Sequence, residues 1–227
     1  MPLINVPDFH TSLLTLLHSL SKKTYFADMM SKHGHVETVA KNLLACVDSD
    51  ILQLQGKELT VRRLHEVRMK QHQPWRKDIG YMDYITDDGN HDYFRIHVGQ
   101  ARDGEKRILN NHSLSILSGH HDTLHYYIIW LGMGNRNTNF MRLWSILNAT
   151  GDEEWSSFRR NVLELMFCFA FQTLPPSELH HHFGGAAGGH SHQTLGLNVL
   201  SPLFQNSSPT AAHRTFARKA LEVSIDP

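Results

Sequence analysis

Before Pro74 the apolar positions recur at helical spacing in three stretches. They are Leu13, Leu16, Leu17 and Leu20 within 9–20, then Val36, Val39, Ala40, Leu43, Leu44 and Val47 within 36–47. Leu59, Val61, Leu64, Val67 and Met69 follow within 59–71. Gly56 interrupts the chain ahead of the third stretch. Gln73-Pro74-Trp75 ends it, because a residue that precedes proline resists helical dihedrals. Past Pro74 the pattern changes. Residues 79–86 and 93–98 are rich in strand formers, and Asp87-Asp88-Gly89-Asn90 between them predicts an antiparallel hairpin that stops at Gly99. A short helix over 103–111 is expected next, with Asp103 able to cap its start. The β-branched and aromatic run Leu124–Leu131 predicts a third strand, ended by Gly132-Met133-Gly134-Asn135. Residues 158–172 predict an apolar helix stopped by Pro175-Pro176, and 180–192 a flexible His/Gly-rich loop. Ordered character resumes at 194–204, and a short helix is expected within 211–222. The expected class is α+β: a small antiparallel three-stranded sheet flanked by helices, with an N-terminal helical extension. Three regions follow, 1–75 helical, 76–204 the main domain with an insertion, and 205–227 a tail.

Composition narrows the function without choosing it. Hydrophobic residues make up 41% and charged residues 19%, which excludes a disordered chain. Lys+Arg and Asp+Glu are both 22, so net charge gives no push towards nucleic acid. The charge is uneven, however: seven Lys/Arg lie from Lys57 to Lys77 against Glu58 and Glu66. Such a stretch either lies along phosphates or forms a solvated helix face. The two cysteines, Cys46 and Cys168, sit in apolar runs and argue against a disulfide framework, pointing to an intracellular setting, nucleus or cytoplasm, and not to secretion. Asp8, His10 and His18 interrupt the apolar start, with no basic segment ahead of it, so it reads as a helix and not a signal peptide. No run reaches the ~18 apolar residues of a membrane span, so no membrane partner is expected.

Candidate chemistry begins with Glu164, which is surrounded by Val162, Leu163, Leu165, Met166 and Phe167 on a helix apolar all round. A carboxylate buried there needs a cationic partner or a metal, because desolvation costs several kcal/mol by order of magnitude. Upstream, Gly99 would let a phosphate-sized ligand approach the backbone. Arg107 and Asn111, four apart, would share a helix face, and a guanidinium fork suits phosphate. Taken singly, a structural salt bridge for Glu164 and a surface role for Arg107 are the simpler readings. The run His180-His181-His182 with His190 and His192 has no fixed geometry and no nearby Cys, so it reads as a loop and not a zinc site. The aromatic set Trp130, Phe140, Trp144, Trp155 and Phe158 could stack bases, but accompanies apolar runs and reads as core.

Taken together, Gly80-Tyr81-Met82-Asp83-Tyr84-Ile85, then His97-Val98-Gly99-Gln100-Ala101-Arg102-Asp103 with Arg107 and His112, resemble the core of the GIY-YIG nuclease superfamily. Arg107 stands ten residues after His97, Glu164 resembles the family's metal-binding Glu, and Asn198 its late Asn. The resemblance implies a metal-dependent DNA endonuclease in which Glu164 holds Mg²⁺ or Mn²⁺. Arg107 would clamp the phosphate, a Tyr or His97 would deprotonate water, and His112 would assist proton transfer. It implies DNA, branched or otherwise structured DNA included, as the partner, with contacts from Gly99, Gln100, Arg102, Lys106 and Asn198. His97 stands where the family has a tyrosine. Tyr81 and Tyr84 face opposite sides of their strand, so one of them reaches the site, and Tyr81, directly after Gly80, is preferred. A degenerate GIY-YIG-fold module that binds nucleic acid or a protein is the alternative. An unrelated α+β domain with Glu164 in a buried ion pair is a third.

Overall fold

The computed structural model describes residues 4–71, 74–147, 151–184, 196–199 and 201–204. Five helices come first: α1 (Phe9–Leu20), α2 (Thr24–Ser31), α3 (Val36–Leu44), α4 (Ser49–Leu52) and α5 (Val61–Lys70). Asp8 starts α1 by accepting from the Thr11 amide, and Thr60 starts α5 by accepting from that of Arg63. The predicted hairpin is present as β1 (Lys77–Asp87) and β2 (Asn90–Asp103), with the expected turn between them. β2 does not stop at Gly99; it pairs with β1 as far as Asp103.

Several expectations are corrected beyond the hairpin. The segment after β2 is not an ordinary short helix. Asp103 does cap it, accepting from the Lys106 amide, but Lys106–His112 is a π-turn that runs into α6 (Ser113–Leu117). Leu124–Leu131 is helix α7 and not a strand: its buried residues His125, Ile128 and Ile129 fall at helical spacing, and Thr123 caps it. The remaining strands are β3 (Arg136–Asn137) and β4 (Phe140–Ser145), both antiparallel to β1, so the sheet has four strands and not three. Helix α8 (Glu153–Ala170) opens five residues before the predicted Phe158, because Asp152 caps it at the Trp155 amide. Pro176 then opens α9 (Pro176–Phe183), so His180, His181 and His182 are helical and not loop. The rest of that loop, His190 and His192 included, and the tail helix expected within 211–222 lie outside the described residues.

β1 is the central strand, paired with β2 along one edge and with β3 and β4 along the other. Side chains alternate across it. Met82 and Tyr84 join Ile96 and Val98 of β2 in the main core, which α8, α9 and the N-terminal helices share. One core thus spans both sides of Pro74. On the opposite face Ile79 and Tyr81 meet Ile108 of the π-turn, while Ile85 meets Ile128 and Ile129 of α7. Of the predicted aromatic core, Trp144, Trp155 and Phe158 are buried and Phe140 is half-buried. Trp130 is 51% exposed and is not core. Among the described residues no helix is long and apolar enough to cross a membrane.

Both outer edges of the sheet are closed by a side-chain amide. Gln71, after α5, donates to the Arg142 carbonyl (2.6 Å) and accepts from its amide (2.8 Å) on β4. Asn198 does the same for Val98 on β2, at 2.7 and 2.9 Å. Within the sheet, Gly80 lies under Trp144: a Cβ at this position would sit 2.0 Å from the indole nitrogen. The buried indole cannot yield without disturbing the main core. Gly80→Ala is therefore expected to lower stability by about 1–3 kcal/mol, read as a lower urea midpoint with the denaturant slope unchanged. An unchanged midpoint would show that the Trp144 ring is free to move.

Candidate active site on the π-turn face of the sheet

Tyr81 stands in the middle of β1, 1% exposed, with its ring over Gly99, its partner in β2. A Cβ on Gly99 would lie 2.6 Å from the Tyr81 hydroxyl. The glycine therefore makes room for Tyr81; the space expected for a phosphate at Gly99 is filled by that ring. Tyr81 Oη accepts from Arg107 Nε at 3.1 Å and pairs with His112 Nε2 at 2.8 Å. His112 Nδ1 pairs with the Tyr126 hydroxyl at 3.0 Å. Arginine only donates, so the arrangement that satisfies every proton has Tyr81 donating to His112 Nε2 and His112 donating from Nδ1 to Tyr126.

The π-turn explains how Arg107 and His112 both reach one hydroxyl. Five residues apart, they would diverge on an α-helix, whereas i→i+5 hydrogen bonding widens the turn and brings such a pair to one side. Asn111, expected to share a face with Arg107, is exposed.

A second polar pair lies beside the first. Asp83, fully buried on β1, accepts from His125 Nε2 at 2.8 Å and from the Asn139 amide at 2.7 Å. The His125 ring stacks on His97 with centroids 4.6 Å apart. His97 Nδ1 is buried and has no hydrogen-bond partner among the described residues. Burial, with His125, His112 and Arg107 adding to it, holds His97 well below the usual histidine range. Burial and the Arg107 charge take His112 down to about 3. Burial pushes Tyr81 up to about 12 against the opposing pull of Arg107. In the resting protein both imidazoles are neutral and the phenol keeps its proton.

Glu164 approaches from the opposite face of the sheet, on α8, 3% exposed. Its Oε2 accepts from Gln100 Nε2 at 2.6 Å, and the same nitrogen donates to Asn161 Oδ1 at 2.7 Å. Its charge reaches across to Tyr81 and Arg107, opposing ionisation of the phenol and favouring that of the guanidinium. The Glu164 carboxylate and the Asn161 amide oxygen are hard donors of the kind Mg²⁺ or Mn²⁺ takes, with the Gln100 NH2 group lying between them. No group of three His, Cys, Asp or Glu side chains clusters to hold a metal among the described residues. Glu164 would therefore be the one carboxylate, with water and phosphate completing the shell, as Mg²⁺ commonly allows.

The remaining expected residues are dispersed. Tyr84 points into the main core, away from Tyr81. Asn198 has both ends of its amide on the Val98 backbone, so it secures a sheet edge. Arg102 is exposed and paired with Glu153, and Lys106 is exposed at the start of the π-turn. Asp83, His125 and Tyr126 escaped the sequence reading, the last two because a β-branched run masked the helical spacing of α7. The signal available for Asp83 was a carboxylate at the centre of an otherwise apolar strand. Protein-family models, curated proteins and solved structures give no match to this chain.

Two outcomes follow from the geometry. Because His112 and His182 (held down to about 4 by burial) resist protonation in the fold, the unfolded chain binds more protons than the native one below about pH 6.5. Stability is full above about pH 6.5 and falls steadily towards pH 4, which urea midpoints across that range should record. A flat profile would contradict neutral burial of these rings. Inserting one alanine after Asn110, exposed within the π-turn, would set Arg107 and His112 six apart, on different sides of the helix, and pull His112 off Tyr81. Its imidazole resonance should then titrate near 6.5, where the parent His112 shows no inflection between about pH 5 and pH 8.

Proposed function

We propose that this chain is a metal-dependent endonuclease that hydrolyses DNA phosphodiester bonds, with its active site around Tyr81, His97, Arg107, His112 and Glu164. Arg107 carries the proposal. Its half-buried guanidinium makes one side-chain bond, to Tyr81, and has no carboxylate in ion-pair contact among the described residues. Burying a cation without an anion is costly, so a fork of free donors, with the Glu164 charge acting on it only at a distance, suits a ligand that brings its own negative charge. A phosphodiester does so. The β-β-α-β-α order of the GIY-YIG resemblance is also compatible with β1, β2, the π-turn with α6, β4 and α8, with α7 as an added helix.

In this reading Arg107 binds the non-bridging phosphate oxygens and offsets charge that grows as water oxygen bonds to phosphorus and the ester P–O bond breaks. His97, kept as the free base by burial, has a nitrogen with no partner among the described residues and takes the proton that water loses. Tyr81 and His112 hold the Arg107 fork in place through their hydrogen-bonded chain. Glu164 and the Asn161 amide oxygen, once the Gln100 NH2 group between them gives way, would hold Mg²⁺ or Mn²⁺, which would supply Lewis-acid stabilisation of the phosphate. Lys106, exposed beside Arg107, would contact DNA, and Arg102, exposed farther off and paired with Glu153, would do so only at a distance from the reaction. One observation favours the alternative of a degenerate nucleic-acid-binding module: the Tyr81 hydroxyl, buried, already has both its bonds filled.

The test is nicking of supercoiled plasmid with Mg²⁺ or Mn²⁺ by the parent protein, Glu164→Ala and Arg107→Ala. Nicking by the parent that drops roughly 100-fold or more in each variant is expected, provided circular dichroism shows both folded. Equal nicking by all three would place the activity elsewhere. No nicking, with a retained gel shift on DNA, would select the binding module.

A further inference from the structure

A groove of about 400 Å³ opens beside the Tyr81 site, between α5, the π-turn and β4. Trp75 and Phe140 give it aromatic walls, Met69 and Leu109 an apolar rim, and Arg68 and Thr138 polar atoms. It shares a wall with the site: the Phe140 ring lies 6.1 Å from that of Tyr81 and 5.0 Å from that of His112. Ile108, next to Arg107, lines it as well. Met69 and Leu109 are 58% and 53% exposed, an apolar surface kept open to water. The helix that forms one wall of this slot, α5, is basic, and Arg68 on it lines the slot. Arg62, Arg63, Arg68 and Lys70 on α5 face a single acidic residue of that helix, Glu66, and Arg76 and Lys77 follow. Arg68 is fixed at the wall by its Nε bond to the Phe140 carbonyl, 3.2 Å.

An aromatic slot walled by a basic helix fits a flat, apolar group attached to a polyanion. The volume accommodates one nucleoside and excludes a duplex, so a base would have to leave its stack to enter. We propose that the groove binds one unpaired nucleobase of the DNA, seated by Trp75 and Phe140 while the flanking phosphate lies at Arg107. This rests on the nucleic-acid reading above and deepens it: the favoured substrate has an unpaired or extruded nucleotide next to the cleaved bond. Arg68 and the basic residues of α5 hold the adjoining backbone, and the contact is electrostatic and salt-sensitive.

The test is equilibrium binding of the full chain, with EDTA present so that nothing is cut, to two short duplexes. One carries a single bulged 2-aminopurine and the other is the fully paired counterpart. The bulged duplex should bind about tenfold more tightly, with its fluorescence quenched by stacking. Trp75→Ala should abolish that preference and leave the paired duplex unchanged. Leu109→Trp, at an exposed position where folding is not at risk, should fill the groove and do the same. Equal affinity for the two duplexes, or a preference that survives in both variants, would overturn the groove while leaving plasmid nicking by the parent intact. No binding to either duplex, together with no nicking, would remove the nuclease reading and the groove with it.

Discussion

A strand buried on both faces has no water for its polar side chains, and β1 is such a strand. From Ile79 to Ile85 every residue is buried, and Tyr81 and Asp83 lie among them on the π-turn face. Each must find its partner inside the protein, because an unmet polar atom there costs about 1–3 kcal/mol. Tyr81 finds Arg107 and His112, and Asp83 finds His125 and the Asn139 amide. Those demands recruit the π-turn from one side and α7 from the other. The elements that cover this face of the sheet are thereby the ones that bring cation, imidazoles and phenols together. Structural satisfaction and candidate chemistry are the same set of hydrogen bonds.

The same economy operates at the sheet edges, where unpaired backbone groups are a liability. Gln71 and Asn198 each offer an amide that copies a neighbouring strand at one position. Gln71 leaves α5 to do so, and this docks the basic helix against β4. Arg142, on the same strand, reaches Asp48 with both Nε and Nη2 and ties in the start of α4. The N-terminal helices are thus fastened to the sheet by polar edge contacts as well as by the common core. Their basic member ends as one wall of the groove beside Tyr81.

Much of this arrangement was legible in the residues. Apolar spacing located α1, α3 and α5, and the Asp-Asp-Gly-Asn turn located the hairpin, since both signals depend on local chemistry. Alternation along a strand separated Tyr81 from Tyr84. What escaped notice depended on tertiary context. Leu124–Leu131 carries strand-forming residues, but packing of Ile128 and Ile129 on Ile85 selects a helix, and β-propensity yields to such contacts. The loss of that helix from the sequence reading concealed His125 and Tyr126. β4 was hidden because its arginine and aromatics read as core without period. Gly99 was recognised as exceptional for the wrong reason: the close approach it permits is that of a side chain of its own sheet. Asn198 likewise looked like a ligand-facing residue, while its hydrogen bonds are to a neighbouring strand.

The π-turn has one further consequence. Asn110 and Asn111 face outwards and are exposed, so their identities are lightly constrained, whereas Leu109 beside them rims the groove. The spacing is held more tightly, because Arg107 and His112, five apart, converge on Tyr81 only with the turn wide. Across descendants of this chain the segment should reject insertions, while loss of one residue with return to an α-helical turn would keep the pair on one face. A search for relatives that scores letters and tolerates gaps would be least informative here; a search for the interval between a basic residue and an imidazole would be most.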